Sequence, residues 1–398
     1  MQHIKDILSQ KTFVFVLTDL VITLSLLPSP AVASAATLKN VSIDGFTAKS
    51  PIHVLGSAAT TPKGLSPDQI KTAYRLPKSG GSGTVALIEA YDDKELESDL
   101  AAFDAKFNLP ACTVANGCLE KHLMTAGTKE VSGWSLETAL DSEWAHAIAP
   151  KAKILVVEAA SDSGPALLKA VDYARSRPDV VSVSMSWGGT EFKDETKSDS
   201  HFTVATSSDT GIAFFAASGD DGTGASWPAA SPKVIAVGGT TLAFDKDGTF
   251  GSEKAWAGSG GGISAYESEP GFQVSYSIAR AKGMRAIPDV SFDADPKSGY
   301  SVYHQPVSAK SQKGWFVVGG TSAGTPQWAA IKSLGGPSAG SSTASFLTKL
   351  YQDKASANHA LFFRDITSGS NGDCGYYCTA RAHYDYVTGL GSPIAYKF

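Results

Sequence analysis

The sequence predicts an α/β fold built on a mostly parallel central sheet, and three observations predict it. Five short apolar runs rich in Val, Ile and Phe recur along the first two thirds of the chain: TVALIEAY (84–91), AKILVVEAA (152–160), VVSVSMSW (180–187), GIAFFAAS (211–218) and KVIAVGGT (233–240). Helical patterns lie between them, at 134–148, 165–176 and around 198–209. Near-continuous apolar strands alternating with helices indicate a sheet covered on both faces. The third observation is glycine, at 39 of 398 residues, which suits tight turns and sites on loops at strand ends. Such a sheet places its active site at the C-terminal ends of the strands.

Composition narrows the function. With 42% hydrophobic and 18% charged residues, the chain has apolar area for a packed core and is not disordered. A net charge of −5 argues against a sequence-independent nucleic-acid or anionic-membrane surface.

Taken in order, residues 1–35 read as a secretory signal peptide. Lys5 and Lys11 precede an apolar run at 13–27, and Ala33 and Ala35 offer small-residue cleavage points. The competing reading is a membrane anchor, but Asp19 interrupts a run shorter than the ~20 residues a span needs. Residues 36–60, rich in Ala, Ser and Thr, form an extended lead-in, and one catalytic domain is expected over 61–398. It opens at LSPDQIKTAYRLP, whose Ser-Pro-Asp is a helix start. The four cysteines fall in two close pairs, Cys112 with Cys118 and Cys374 with Cys378. Neither pair has the spacer of a common structural zinc site, so two local disulfides are expected and zinc is the alternative.

Three segments carry chemistry. In GGTSAGTPQWAAI (319–331) a strand runs into Ser322 at the start of a helix, with Pro326 expected in its first turn. A helix N-terminus suits a nucleophilic serine, and equally a serine that only caps the helix. A nucleophile needs a base, and none of the eight histidines sits in a Gly-flanked motif at a helix start. WSLETALDSEWAHAI (134–148) supplies carboxylates instead: Glu137 and Asp141, four apart, share one helix face with apolar neighbours. Burial and like charge raise such pKa values and couple them, so the pair can share a proton; the bland alternative is a solvated acidic face. The third segment is GDDGTG, which puts Asp220 at a strand end. Protonated, Asp220 could donate to an oxyanion; otherwise it marks a turn or a cation loop. Glu89 and Trp187, at the ends of the first and third strands, are placed to reach the same site.

Together these residues resemble the sedolisin family, the serine-carboxyl peptidases related in fold to subtilisin. The similarity covers nearly the whole chain after the leader. It rests on Glu137 and Asp141, on Ser218 to Asp220, and on Gly320 to Pro326. Further support comes from WPAASPKVIAVGGTTL (227–242), SGGGIS (259–264), PDVSFDADP (288–296), RDITSGSNG (364–372) and YDYVTGLGSP (384–393). The resemblance implies a subtilisin-like three-layer fold, with Ser322 as nucleophile, Glu137 as general base, Asp141 supporting Glu137, and Asp220 as protonated oxyanion partner. It implies a secreted, acid-acting endopeptidase of proteins or peptides, monomeric, with no nucleic-acid partner and no membrane contact once the leader is removed. The alternatives are a tripeptidyl exopeptidase of the same family and a non-catalytic binding protein on the peptidase fold.

The resemblance also implies one structural Ca2+ ion, held by Asp365 and Asp385 with the carbonyls of Ile366, Arg381 and His383. Arg381 and His383 stand where the family usually has glycines, which puts the loop path in question. Many family members carry a large prodomain after the leader, whereas here only residues 36–60 separate leader from catalytic domain.

Overall fold

Seven strands lie side by side in the central sheet of this computed structural model, in the order Phe250–Ala255, Ile235–Phe244, Ala213–Ala217, Val180–Met185, Thr84–Ala90, Lys153–Ala159, Leu119–Leu123; an eighth, Val290–Asp293, also pairs with Ile235–Phe244. All pairings are parallel except the hairpin of Phe250–Ala255 on Ile235–Phe244. The structure describes residues 42–204, 211–306, 312–335 and 341–394. The expected signal peptide and the first residues of the lead-in lie outside them.

The strand sequences explain why the sheet is buried twice. In Thr84–Ala90, Val85 and Leu87 join one apolar cluster, together with residues of the helices Ser132–Ile148 and Thr321–Leu334. Ala86 and Ile88 face the other side, where they join Leu167 and Val171 of the helix Gly164–Arg175. A strand covered on both faces has no polar alternation to keep. The expected helix start at Ser66 forms a capping box: its hydroxyl accepts from the Gln69 N–H, while the Gln69 side chain accepts from the Ser66 N–H.

Two expectations need correction. The helix sought around 198–209 is a 3-10 segment at Glu195–Phe202, and 205–210 lie outside the described residues. Pro326 sits a full turn inside the helix Thr321–Leu334, not in its first turn. Having no N–H, Pro326 leaves the Ser322 carbonyl without its helical partner. Ser186 Oγ lies 3.2 Å from that oxygen.

The lead-in runs along the domain from residue 42 as a series of strand contacts. Thr47 bridges Ser163, Lys49 bridges Gly188, and His53–Val54 pairs antiparallel with Gly319 and Val318 of the strand Gly314–Gly319. Ala59 then bridges Trp315. Disulfides join Cys112 to Cys118 and Cys374 to Cys378, as the spacing suggested.

Candidate active site

Residues 134–148 of the helix Ser132–Ile148 are buried all round, so Glu137 and Asp141 have no access to solvent. Glu89, near the end of the strand Thr84–Ala90, is equally buried and meets Asp141. Burial pushes all three carboxyls above their ordinary range, and the neighbouring acids add to the effect on Glu89 and Glu137. Asp141 is held lowest, at about 7, because Ser186, Glu89 and Glu137 hydrogen-bond to it. Ser186 donates to Asp141 Oδ2 at 2.7 Å. Apart from one another, the oxygens of Glu89, Glu137 Oε1 and Asp141 Oδ1 find no donor among the described residues. Two carboxyls can bond to each other only by sharing a proton, so the chain Glu89–Asp141–Glu137 stores protons.

Ser322 lies at the second residue of the helix Thr321–Leu334 and is fully buried. Asp220 is brought to the same helix end. Its Oδ1 accepts from the Thr321 N–H at 2.8 Å and the Thr321 hydroxyl at 2.7 Å. These bonds leave Oδ2 facing the cleft, and burial raises the Asp220 pKa despite the hydrogen bonds from His53 and Thr321.

The cleft already holds peptide. Ser322 Oγ donates to the Pro51 carbonyl at 2.8 Å, the Ser50 hydroxyl donates to Glu137 Oε2, and His53 Nε2 lies 3.1 Å from Asp220 Oδ2. On one side of Pro51 the Lys49 and Gly188 main chains exchange both hydrogen bonds, at 2.9 and 3.0 Å. On the other side the Leu55 N–H bonds to the Val317 carbonyl. Gly320 makes this approach possible. Its φ is +124°, and a Cβ built there would fall 2.0 Å from Pro51 O and 2.7 Å from Asp220 Oδ2. The peptide carbonyl and the Asp220 carboxyl therefore converge on one small space beside Ser322.

The structure thus brings together Glu137, Asp141, Asp220 and Ser322, with Glu89 extending the carboxyl chain. Trp187 does not reach the cleft; its indole donates to the Ile88 carbonyl and steadies the strand end that carries Glu89. Nothing in the sequence signals a site role for Ser50, Pro51 and His53, which lie in the extended lead-in, or for Ser186, a serine at a strand end without a motif. A serine–histidine–aspartate arrangement lies elsewhere: Ser135 Oγ is 3.3 Å from His304 Nε2, and His304 Nδ1 is 3.0 Å from Asp99 Oδ2. All three are buried at 2% exposure or less, so no substrate meets them.

The residues expected around Ca2+ also assemble. Asp365 and Ile366 follow the strand Phe363–Arg364, and Arg381, His383 and Asp385 lie on the facing loop. His383 keeps a left-handed φ of +71°, the conformation a glycine would favour, so the loop bends there despite the side chain.

A largely parallel, doubly covered sheet, with a serine at a helix start beside buried carboxyls, is a subtilisin-like α/β fold. The chain belongs to the subtilase family, whose model matches residues 124–346. It is 28% identical to sedolisin of Pseudomonas sp. (strain 101) over 84% of this chain, and 30% identical to kumamolisin of Bacillus sp. (strain MN-32) over 86%. It is also 28% identical to tripeptidyl-peptidase 1 of Dictyostelium discoideum over 83% of this chain. The match spans 60%, 64% and 57% of those three proteins. The solved structure of the Pseudomonas sedolisin superposes with a TM-score of 0.68, covering 84% of this chain and 96% of that one.

Proposed function

We propose that this protein is a secreted serine-carboxyl endopeptidase that works in acid. The observation that carries the reading is the convergence of the Ser322 hydroxyl, the Asp220 carboxyl and a peptide carbonyl at Gly320, with Glu137 alongside.

In the mechanism, Ser322 Oγ attacks the carbonyl carbon of a bound peptide. Its proton passes to Glu137, and Asp141 stabilises Glu137 by sharing a proton with it. Asp220, protonated, donates from Oδ2 to the developing oxyanion, Oδ1 being fixed by Thr321. Glu137 then returns the proton to the leaving amine, an acyl-enzyme remains on Ser322, and a water activated by Glu137 hydrolyses it. Asp220 can donate only while it is protonated, which acid favours, and its burial extends that state to higher pH.

Endopeptidase action is favoured by the path of the lead-in. From Thr47 to Pro51 it lies in strand-like contact on one side of Ser322 and continues past His53 on the other. A cleft cutting off tripeptides would end three residues before the reacting carbonyl. Secretion rests on the leader at 1–35 and agrees with the two disulfides. No helix among the described residues is long and apolar enough to cross a membrane.

The test is mass spectrometry of the products from one long unstructured peptide at acidic pH, with Ser322→Ala as control. Internal fragments that vanish in Ser322→Ala are expected. Successive tripeptides would replace the endopeptidase reading, and turnover by Ser322→Ala would end the assignment of the nucleophile.

A further inference from the structure

Lys354, in the last turn of the helix Thr343–Ala355, sends its ammonium into the loop where the ion is expected. Its Nζ donates to Asp365 Oδ1 at 2.7 Å, and the side chain is only 1% exposed. We infer that Lys354 is a built-in cation standing in place of the divalent ion, and that the C-terminal loop of this chain folds without calcium.

The other carboxylate oxygens support this. Asp365 Oδ2 accepts the His383 N–H at 2.9 Å. Asp385 Oδ1 accepts the N–H groups of Val387 and Thr388, each at 2.9 Å. Asp385 Oδ2 accepts the Thr388 hydroxyl at 2.9 Å and the Arg381 N–H at 3.2 Å. All four oxygens thus have protein donors, and none is among the buried oxygens without partners, in contrast to Glu137 and Asp141 of the catalytic cluster. Calcium takes six to eight oxygens at 2.3–2.6 Å. An ammonium at 2.7 Å from one of those carboxylates neutralises it and repels a second cation there.

The lysine has no easy exit. The helix that carries it is fixed through Phe346, Leu347 and Leu350 in the main apolar cluster. Its position in the last helical turn also puts its charge beside carbonyls that favour a cation. The charge of Asp365 is met within the chain, where a calcium loop would need an ion to hold it together.

The experiment uses the full chain and reads bound metal and melting temperature, not turnover, so its failure leaves the peptidase reading untouched. Protein purified without chelator is assayed for calcium by elemental mass spectrometry, then melted in EDTA and in excess calcium chloride. Expected are no stoichiometric calcium and the same Tm in both solutions, while Lys354→Met melts lower or fails to fold. One calcium per chain, a Tm lowered by EDTA, or a Lys354→Met variant with the wild-type Tm would each overturn the inference.

Discussion

Ser322 and Pro51, 271 residues apart in sequence, are joined by a 2.8 Å hydrogen bond from the serine hydroxyl to the proline carbonyl. The Ser322 hydroxyl therefore points at a peptide that is part of its own chain. A peptide substrate of the proposed reaction would compete with this tethered segment, whose effective concentration is on the order of mM.

That competition gives a first prediction. Lys49→Pro removes the N–H that bonds the Gly188 carbonyl at 2.9 Å and weakens docking of the lead-in. The variant should show a KM several-fold lower than the wild type, with kcat little changed. An unchanged KM in steady-state kinetics would mean that the lead-in does not block the cleft in solution.

The His53–Asp220 pair makes docking depend on pH. The hydrogen bond with Asp220 raises the His53 pKa against the effect of burial, while burial raises that of Asp220. The ion pair holds between these two raised values. Acid breaks it when Asp220 takes a proton, and base breaks it when His53 loses one. His53→Ala should speed amide exchange over residues 48–55 at a pH between the Asp220 and His53 pKa values and make no difference well below the Asp220 pKa. Equal exchange at both pH values would rule out the pair as a clamp.

Glu137→Gln keeps the shape and can still accept from Ser50, but it cannot take a proton from Ser322. A loss of about 10²–10⁴ in kcat is expected, with an unchanged circular dichroism spectrum. Retention of more than a tenth of the wild-type kcat would place the base elsewhere.

Stability should follow the buried carboxyls. Burial raises Asp104, Asp141 and Glu158 to about 7, and Glu89 and Glu137 well above their usual range. Below about pH 4 both folded and unfolded forms are protonated. As pH rises above about 4 the unfolded chain releases these protons first, so the stabilisation present in acid is lost progressively up to about pH 7. Calorimetry should show Tm falling from pH 4 to pH 7; a Tm that rises over that range would contradict the buried-acid picture.

Arg285 and Asp289 form a fully buried two-point ion pair at 2.7 and 2.5 Å, and Asp289 also accepts the Ala236 N–H and the Tyr351 hydroxyl. Asp289→Ala leaves the guanidinium unpaired, and denaturant titration should show a loss of about 3–5 kcal/mol. A loss under about 1 kcal/mol would mean that water reaches Arg285.

What could be read in the sequence follows from which residues carry side-chain patterns. The strands announced themselves because both faces of the sheet are covered, leaving unbroken runs such as VALI at 85–88. Glu137 and Asp141 were legible from helical spacing, and Ser322 from its place before an Ala-rich helix. The docking of the lead-in was not, since its bridges to Gly188 and Gly319 are main-chain contacts that select no residue type. Lys354 belongs to no motif in the sequence; only the fold brings Asp365 beside it.

The main-chain character of those bridges reaches further. Lys49 and Leu55 are held by their backbones to the backbones of Gly188 and Val317, and such bonds form with nearly any residue except proline. The cleft therefore reads the shape of a chain before its letters. Under the proposed activity, folded proteins, whose strands stay paired, would pass it by and loosened or denatured chains would be drawn in, so acid would prepare the substrate as well as the enzyme.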